Sequence, residues 1–294
     1  MYYRRKIILA LLKNSGGQLT KIDLQKLLFL FTNLQEKPAY DFLPFKYGCY
    51  SPLATQDLKT MVKYGMIEEQ ETIWALKTQT NYFCELNKND QKELLNFTDQ
   101  FKNLRGNHLV RHVYKEFPFF AIKSEIKNKI LSTSELKKVE KSTPHKEEPC
   151  LFTIGYEGKS IEKYVTQLIH EDVKVLCDIR KNPLSMKFGF SKNQLKGILE
   201  AVGIEYLQVS GLGIESADRK ELKTHADYEK LFQVYEKTTL VTNQKDLNLL
   251  ANTLAAKKRI ALTCFEADHQ SCHRSRTANA LLPFLPKNIN LIHL

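Results

Sequence analysis

The chain has 294 residues, 43% of them hydrophobic and 10% aromatic, which is apolar material for at least one full core and, by length, for two domains. A formal charge of +11 favours polyanionic partners, nucleic acid first, although a solvated lysine-rich surface would give the same count. No apolar run reaches the roughly 18 residues of a membrane span, and six irregularly spaced cysteines do not make a disulfide framework, so a soluble protein of the reduced cytoplasm is expected.

Residues 4–13 (RRKIILALLK) read as a helix that stops at Asn14-Ser15-Gly16-Gly17; the charged-then-apolar start is too short in its apolar part for a signal peptide. Thr20, with Asp23 three residues on, opens a second helix, TKIDLQKLLFLFTNLQ, with a broad apolar face. The aromatic stretch YDFLPFKYGCYSP is punctuated by Pro44, Gly48 and Pro52 and reads as a loop or short strand. Thr55 is the expected cap of a third helix, closed by Gly65, and MIEEQETIWALKT alternates like a short hairpin. Three helices and a small ribbon outline a winged helix-turn-helix, expected over residues 1–131, with Lys46, Tyr47, Lys59 and Lys63 as candidate nucleic-acid contacts. The basic excess is spread over both halves: residues 1–150 hold 24 basic and 17 acidic side chains, residues 151–294 hold 20 and 16, with a denser basic stretch at 102–146.

On the motifs LQKLLFL, FKYGCYSP and LVRHVYKEFPFFAIKSEIKNKIL, this front half resembles the Panacea antitoxin-like family. The resemblance implies a partner-binding role for the front half, DNA or protein. Fused to an effector, such a half fits toxin–antitoxin or anti-phage defence. Residues 132–149 (STSELKKVEKSTPHKEEP) are polar, charged and proline-containing, and read as a linker.

From residue 150 to 294 the texture changes. Short, nearly all-apolar runs (CLFTIGY, VKVLCDIR, IEYLQVS, RIALTCFE) alternate with helix-like segments of ten or more residues. This pattern predicts an α/β domain, a Rossmann-like, mainly parallel sheet covered on both faces, beside the mostly helical front domain. Loops after the carboxyl ends of such strands line one crevice, where ligands bind.

Those loops carry the candidate site. The first holds Gly155, Tyr156, Glu157 and Gly158; the second Asp178, Arg180, Asn182, Pro183 and Ser185; the third Gly211 and Gly213; the fourth is CFEADHQSCHR, Cys264 to Arg274. Cys272, His273 and Arg274 fall where the last helix begins. There the free N–H groups and Arg274 would welcome a phosphate or carboxylate and would lower the Cys272 thiol toward thiolate. Cys272 is thus a candidate nucleophile, or a packed core residue beside an Asp178–Arg274 pair. Alternation puts Asp178 and Arg180 on one face, as ligand-holding groups or as a loop-fixing ion pair. Glu266 is a candidate general base or an orienter of His273, with Glu157 as a second acid. Glycines at 155, 158, 211 and 213 would let backbone N–H groups approach an anion, or simply make turns. Cys264, His269, Cys272 and His273 are potential metal ligands, but the two cysteines stand eight apart with no second pair nearby, which argues against zinc. No cofactor is expected; phosphate-loop and dinucleotide-binding glycine motifs do not occur in the sequence.

TIGYEG, the D-x-R-x-x-P-x-S block at 178–185, IEYLQVSGLG and C-x-E…CHR resemble, in the right order, the motifs of the domain-of-unknown-function 488 family over about 151–294. The resemblance implies a compact Rossmann-like domain and leaves its activity open. Taken together, the expected function is nucleotide or nucleic-acid processing, hydrolytic or glycosidic, catalysed by Asp178, Glu266 and Cys272. Tyr156, Arg180, Ser185, Cys264, His273 and Arg274 would act as ligand-side groups. A non-catalytic nucleotide sensor or DNA-binding regulator is the alternative.

Overall fold

The computed structural model describes residues 1–215 and 224–294, with His225 by its backbone alone. The chain divides into two compact units, Met1–Thr143 and Pro144–Leu294.

The first unit runs α1 (Tyr3–Asn14), β1 (Gln18–Thr20), α2 (Lys21–Thr32), a hairpin of β2 (Leu43–Phe45) and β3 (Gly48–Tyr50), α3 (Pro52–Lys63), β4 (Ile67–Glu69) and β5 (Ile73–Leu76). Then come α4 (Lys88–Gln100), α5 (Gly106–Glu116), the one-turn α6 (Lys127–Ile130) and α7 (Thr133–Lys141). Strand β5 pairs antiparallel with both β1 and β4, closing a three-stranded sheet. Helix α2 is buried on nearly every side, from Asp23 to Thr32, which explains its almost unbroken apolar run. Thr20 caps it as expected, accepting from the Asp23 N–H at 3.0 Å. Asp23 does not reciprocate; its Oδ1 accepts from the Gly106 N–H at 2.8 Å and fixes the start of α5 instead.

The structure differs from two local expectations. Helix α3 starts earlier than a Thr55 cap would allow. Ser51 is its N-cap and Pro52 its first residue, where a missing N–H costs nothing. Within the stretch read as polar linker, Thr133–Lys141 is helical. Ser132 and Glu135 form a reciprocal capping box, and Arg111 on α5 grips Glu135 at 3.1 Å. The apolar period is weak there because Val139 alone of this helix is buried.

The second unit holds β6 (Cys150–Gly155), α8 (Ile161–His170), β7 (Val175–Asp178), α9 (Lys192–Ala201) and β8 (Glu205–Gln208). It continues with α10 (His225–Lys237), the one-turn α11 (Thr239–Thr242), α12 (Gln244–Lys257), β9 (Arg259–Cys264), α13 (His273–Leu281) and β10 (Asn290–His293). The sheet is parallel throughout, in the order β10-β6-β9-β7-β8. Every residue of the three inner strands is buried, which is why they read as unbroken apolar runs. One face packs Leu151, Val175, Cys177, Ile260 and Leu262 against α10, α12 and α13. The other receives α8, whose buried Tyr164 hydroxyl donates to Thr263 Oγ1 at 2.7 Å. The unexpected fifth strand, β10, lies at an edge, mostly exposed, and its sequence NLIH lacks the apolar signature of the inner strands.

Register sets the site. Gly155 is opposite Cys264, and Asp178 is opposite both Thr263 and Gln208. The carboxyl ends of four strands therefore finish within about one residue of each other.

Candidate functional site

The first and fourth loops are fastened together by backbone. The carbonyl of Phe265 accepts from the N–H groups of Tyr156 and Glu157, at 3.1 and 2.9 Å, and Glu157 Oε2 accepts from the Ala267 N–H at 2.9 Å. Gly155 is glycine because a Cβ there would sit 1.8 Å from the Glu266 carbonyl oxygen. Gly211 and Gly213 face the same constraint, against Asp246 Oδ2 and the Lys181 backbone nitrogen. These three glycines therefore allow close packing, and no anion-cradling role is needed to explain them.

Arg274 is 1% exposed. Its Nη1 and Nη2 donate to the carbonyls of Glu266 and Ala267 at 2.5 and 2.9 Å, pinning the fourth loop to the first turn of α13. Of the two pairings open to Asp178, with Arg274 or with Arg180, the structure shows the loop-fixing pair with Arg180. Asp178 is fully buried; it accepts from Arg180 Nε at 2.8 Å, Arg180 Nη2 at 2.5 Å and the Tyr206 hydroxyl at 2.7 Å. Arg180 also donates to the Tyr156 hydroxyl and the Phe190 carbonyl, at 3.0 and 2.9 Å. Tyr156 in turn stacks on Phe190 at 4.4 Å. Burial, then the charge and hydrogen bond of Asp178, push the Tyr206 hydroxyl above its ordinary range.

Beside this network, four side chains of the fourth loop meet. Glu266 Oε2 accepts from both thiols, Cys272 at 2.8 Å and Cys264 at 3.1 Å. His273 Nδ1 lies 3.5 Å from Cys264 Sγ and 3.9 Å from Cys272 Sγ. The ligand atoms of Cys264, Cys272 and His273 all lie within 4.8 Å of one another, and all three residues are buried. The other ring nitrogen of His273 is 3.4 Å from the carbonyl of Ile179, the residue between Asp178 and Arg180, so the two networks touch. Burial, followed by the neighbouring Cys264 and Glu266, holds the Cys272 thiol well above its ordinary range, outweighing Arg274. This is opposite in direction to the thiolate expected from the helix start and Arg274 together. His269 stands apart, stacked on His293 at 3.7 Å.

Two open clefts adjoin these residues. One, of about 710 Å³, is lined by Lys181, Gly211, Gly213, Lys230 and Tyr235 among others. The second, of about 870 Å³, is lined by Lys181, Asn182, Ser185, Lys187 and Gln208 among others. Neither lining includes Asp178, Glu266, Cys272 or Arg274. Sequence reasoning passed over Lys181, Lys187 and Tyr206. Lys187 Nζ donates to the Tyr156 carbonyl at 2.8 Å, and Tyr206 lies inside the IEYLQVSGLG motif, which was its one signal.

In the first unit, the candidate nucleic-acid residues lie on two elements. Lys46 and Tyr47 form the turn between β2 and β3, and Lys59 and Lys63 stand one helical turn apart on α3; all four are exposed. The hairpin is held from inside by buried Lys26, whose Nζ donates to the Cys49 carbonyl at 2.9 Å.

The second unit is thus a parallel α/β domain with a sulfur, imidazole and carboxylate cluster at the carboxyl edge of its sheet. Residues 160–281, which include that cluster, match the family model described as Domain of unknown function DUF488, the family that the motifs of the C-terminal half resemble. None of the curated proteins compared with the chain matches it. Among the described residues no helix is long and apolar enough to cross a membrane.

Proposed function

We propose that the C-terminal unit is a hydrolytic enzyme acting on a nucleotide or a nucleic-acid end, and that the N-terminal unit brings it to nucleic acid as a winged-helix-like module. The observation that carries the enzymatic reading is Glu266. It is a half-buried carboxylate on a loop braced by Arg274, Glu157 and the Gly155 contact, and it accepts from two sealed thiols. A braced carboxylate at the carboxyl edge of a parallel sheet is placed for proton transfer. Asp178 is assigned a positioning role, because its oxygens are engaged by Arg180 and Tyr206. The basic composition supports an anionic substrate.

The test is a panel of nucleotides, nucleosides and short oligonucleotides incubated with the full chain and with Glu266→Gln, with products resolved by chromatography. Turnover by the wild type and its loss in Glu266→Gln is expected. Equal turnover by both would remove Glu266 from the mechanism. The burial of Asp178, Arg180 and Arg274, at 0, 6 and 1% exposure, favours a second reading, a sensor that binds without converting. Thermal stabilisation by a nucleotide that is recovered unchanged would favour the sensor.

A further inference from the structure

We propose that Cys264, Cys272 and His273 form a site for a thiophilic divalent cation of the zinc class, with Glu266 as the base beside its open fourth position. Zinc–sulfur bonds of about 2.3 Å and zinc–nitrogen bonds of about 2.0–2.1 Å, at a tetrahedral angle, put sulfur and nitrogen about 3.5 Å apart. The two observed sulfur–nitrogen separations are 3.5 and 3.9 Å, close to those two edges of such a tetrahedron, and all three ligand atoms lie within 4.8 Å of one another.

The histidine is also oriented as a ligand. Its Nε2 lies 3.4 Å from the Ile179 carbonyl, which can only accept, so a hydrogen on Nε2 would leave Nδ1 as the ligand atom on the side of the two sulfurs. A backbone carbonyl fixing the far nitrogen is the usual outer support of a metal-bound histidine. The spacing that argued against zinc misleads because the ligands come from two elements. Cys264 ends β9 and Cys272-His273 opens α13, and Arg274 folds the intervening loop so that strand end and helix start adjoin.

Glu266 is not the fourth corner. Its Oε2 lies 2.8 and 3.1 Å from the sulfurs, nearer than a fourth ligand would be, and the residue is half-buried where the other three are sealed. With the cation bound and both thiols deprotonated, a water in the fourth position would pass one proton to the Glu266 carboxylate and remain as a bound hydroxide, a nucleophile for hydrolysis. Zinc sites with two cysteines, one histidine and a neighbouring non-ligand glutamate carry out hydrolytic deamination of nucleobases by this division of labour. The water step rests on the hydrolytic reading above; the binding of the cation does not.

The experiment uses the full chain, purified reduced, stripped with a chelator and titrated with Co²⁺ and Zn²⁺. One equivalent is expected to bind, with an intense thiolate-to-cobalt absorption and the visible bands of a tetrahedral centre, displaced by zinc. Adding azide is expected to shift the visible bands, reporting the open position. Cys264→Ser and Cys272→Ser should each lower affinity at least tenfold, while Glu266→Gln keeps the charge-transfer band and Cys84→Ser, at an exposed cysteine, changes nothing. No thiolate band in the wild type would overturn the site whatever the variants do. A band that survives both cysteine substitutions would do the same, and loss of the band in Glu266→Gln would overturn the assignment of Glu266 as a non-ligand. Inactivity toward nucleotides with the band present would count against the functional reading alone.

Discussion

Gly155 shows how little room the site leaves. A methyl group there would meet the Glu266 carbonyl at 1.8 Å, and that carbonyl is backbone, already held by Arg274. Gly155→Ala must therefore displace the fourth loop, with an expected loss of about 1–3 kcal/mol, read from urea unfolding followed by circular dichroism. Unchanged stability would mean that the loop yields freely and is not braced as described. Tyr164 permits a test with a pH dependence. Burial holds its hydroxyl well above the ordinary tyrosine range. Its folded pKa thus exceeds its unfolded value of about 10, so the stability it contributes is complete below pH 10 and is lost as pH rises through the folded value. Tyr164→Phe should cost about 1 kcal/mol at neutral pH, from the lost hydrogen bond to Thr263. Above pH 10 the wild type should lose about 1.4 kcal/mol per pH unit relative to the variant, so the two stability curves converge within about one unit. Parallel curves across that range would show that Tyr164 ionises in the fold as it does in water.

Between elements, the first unit depends on one acid. Asp57, on α3, is 1% exposed and takes Arg4 Nε at 2.5 Å and Arg5 Nε at 2.7 Å from α1, together with the Tyr40 hydroxyl at 3.0 Å. Asp57→Asn leaves two guanidinium groups without their carboxylate. Because Arg4 keeps partial solvent contact, the expected cost is about 2–3 kcal/mol, below that of a sealed pair. The chain has a single tryptophan, Trp74, buried in β5 of the same unit, so its fluorescence in guanidinium follows this unit by itself. An unmoved midpoint would show that the cluster is incidental to the α1–α3 contact. At this scale the sequence was most readable where burial is two-sided. The runs 150–155 and 259–264 are buried at every residue and could only be inner strands. Strand β10, exposed on an edge, and α7, with one buried side chain, leave no apolar period to read. The capping box Ser132–Glu135 was the available signal for α7. The chemistry was legible as a list of residues and only in part as a set of pairs. Strand alternation offered the Asp178–Arg180 pair, but the cysteines met through loop geometry that spacing does not encode.

For the molecule as a whole, the open question is what the charge of +11 serves. A basic surface that is merely solvated and one that tracks phosphates have the same count but respond differently to salt. Each phosphate neutralised releases condensed counterions, so binding to duplex DNA weakens with a log–log slope near −0.9 per contact. Lys46, Lys59 and Lys63 are exposed, and only Lys46 has an acid close by among the ion pairs described, Glu125 at 3.5 Å. If the hairpin turn and α3 lie on the phosphates, changing Lys59 and Lys63 together to Ala should reduce the slope by nearly two and weaken binding equally across sequences. Neither residue is part of the core, so the Trp74 unfolding midpoint should stay where it is and separate lost contact from lost fold. Fluorescence anisotropy with a labelled duplex between about 50 and 200 mM salt gives the comparison, a range over which six to ten contacts would cost about 10³–10⁵ in affinity. A wild-type affinity that stays flat over that range would assign the positive charge to solubility. A steep wild-type slope that the double variant leaves intact would move the contact surface away from α3, with the basic stretch at 102–146 as the next place to neutralise.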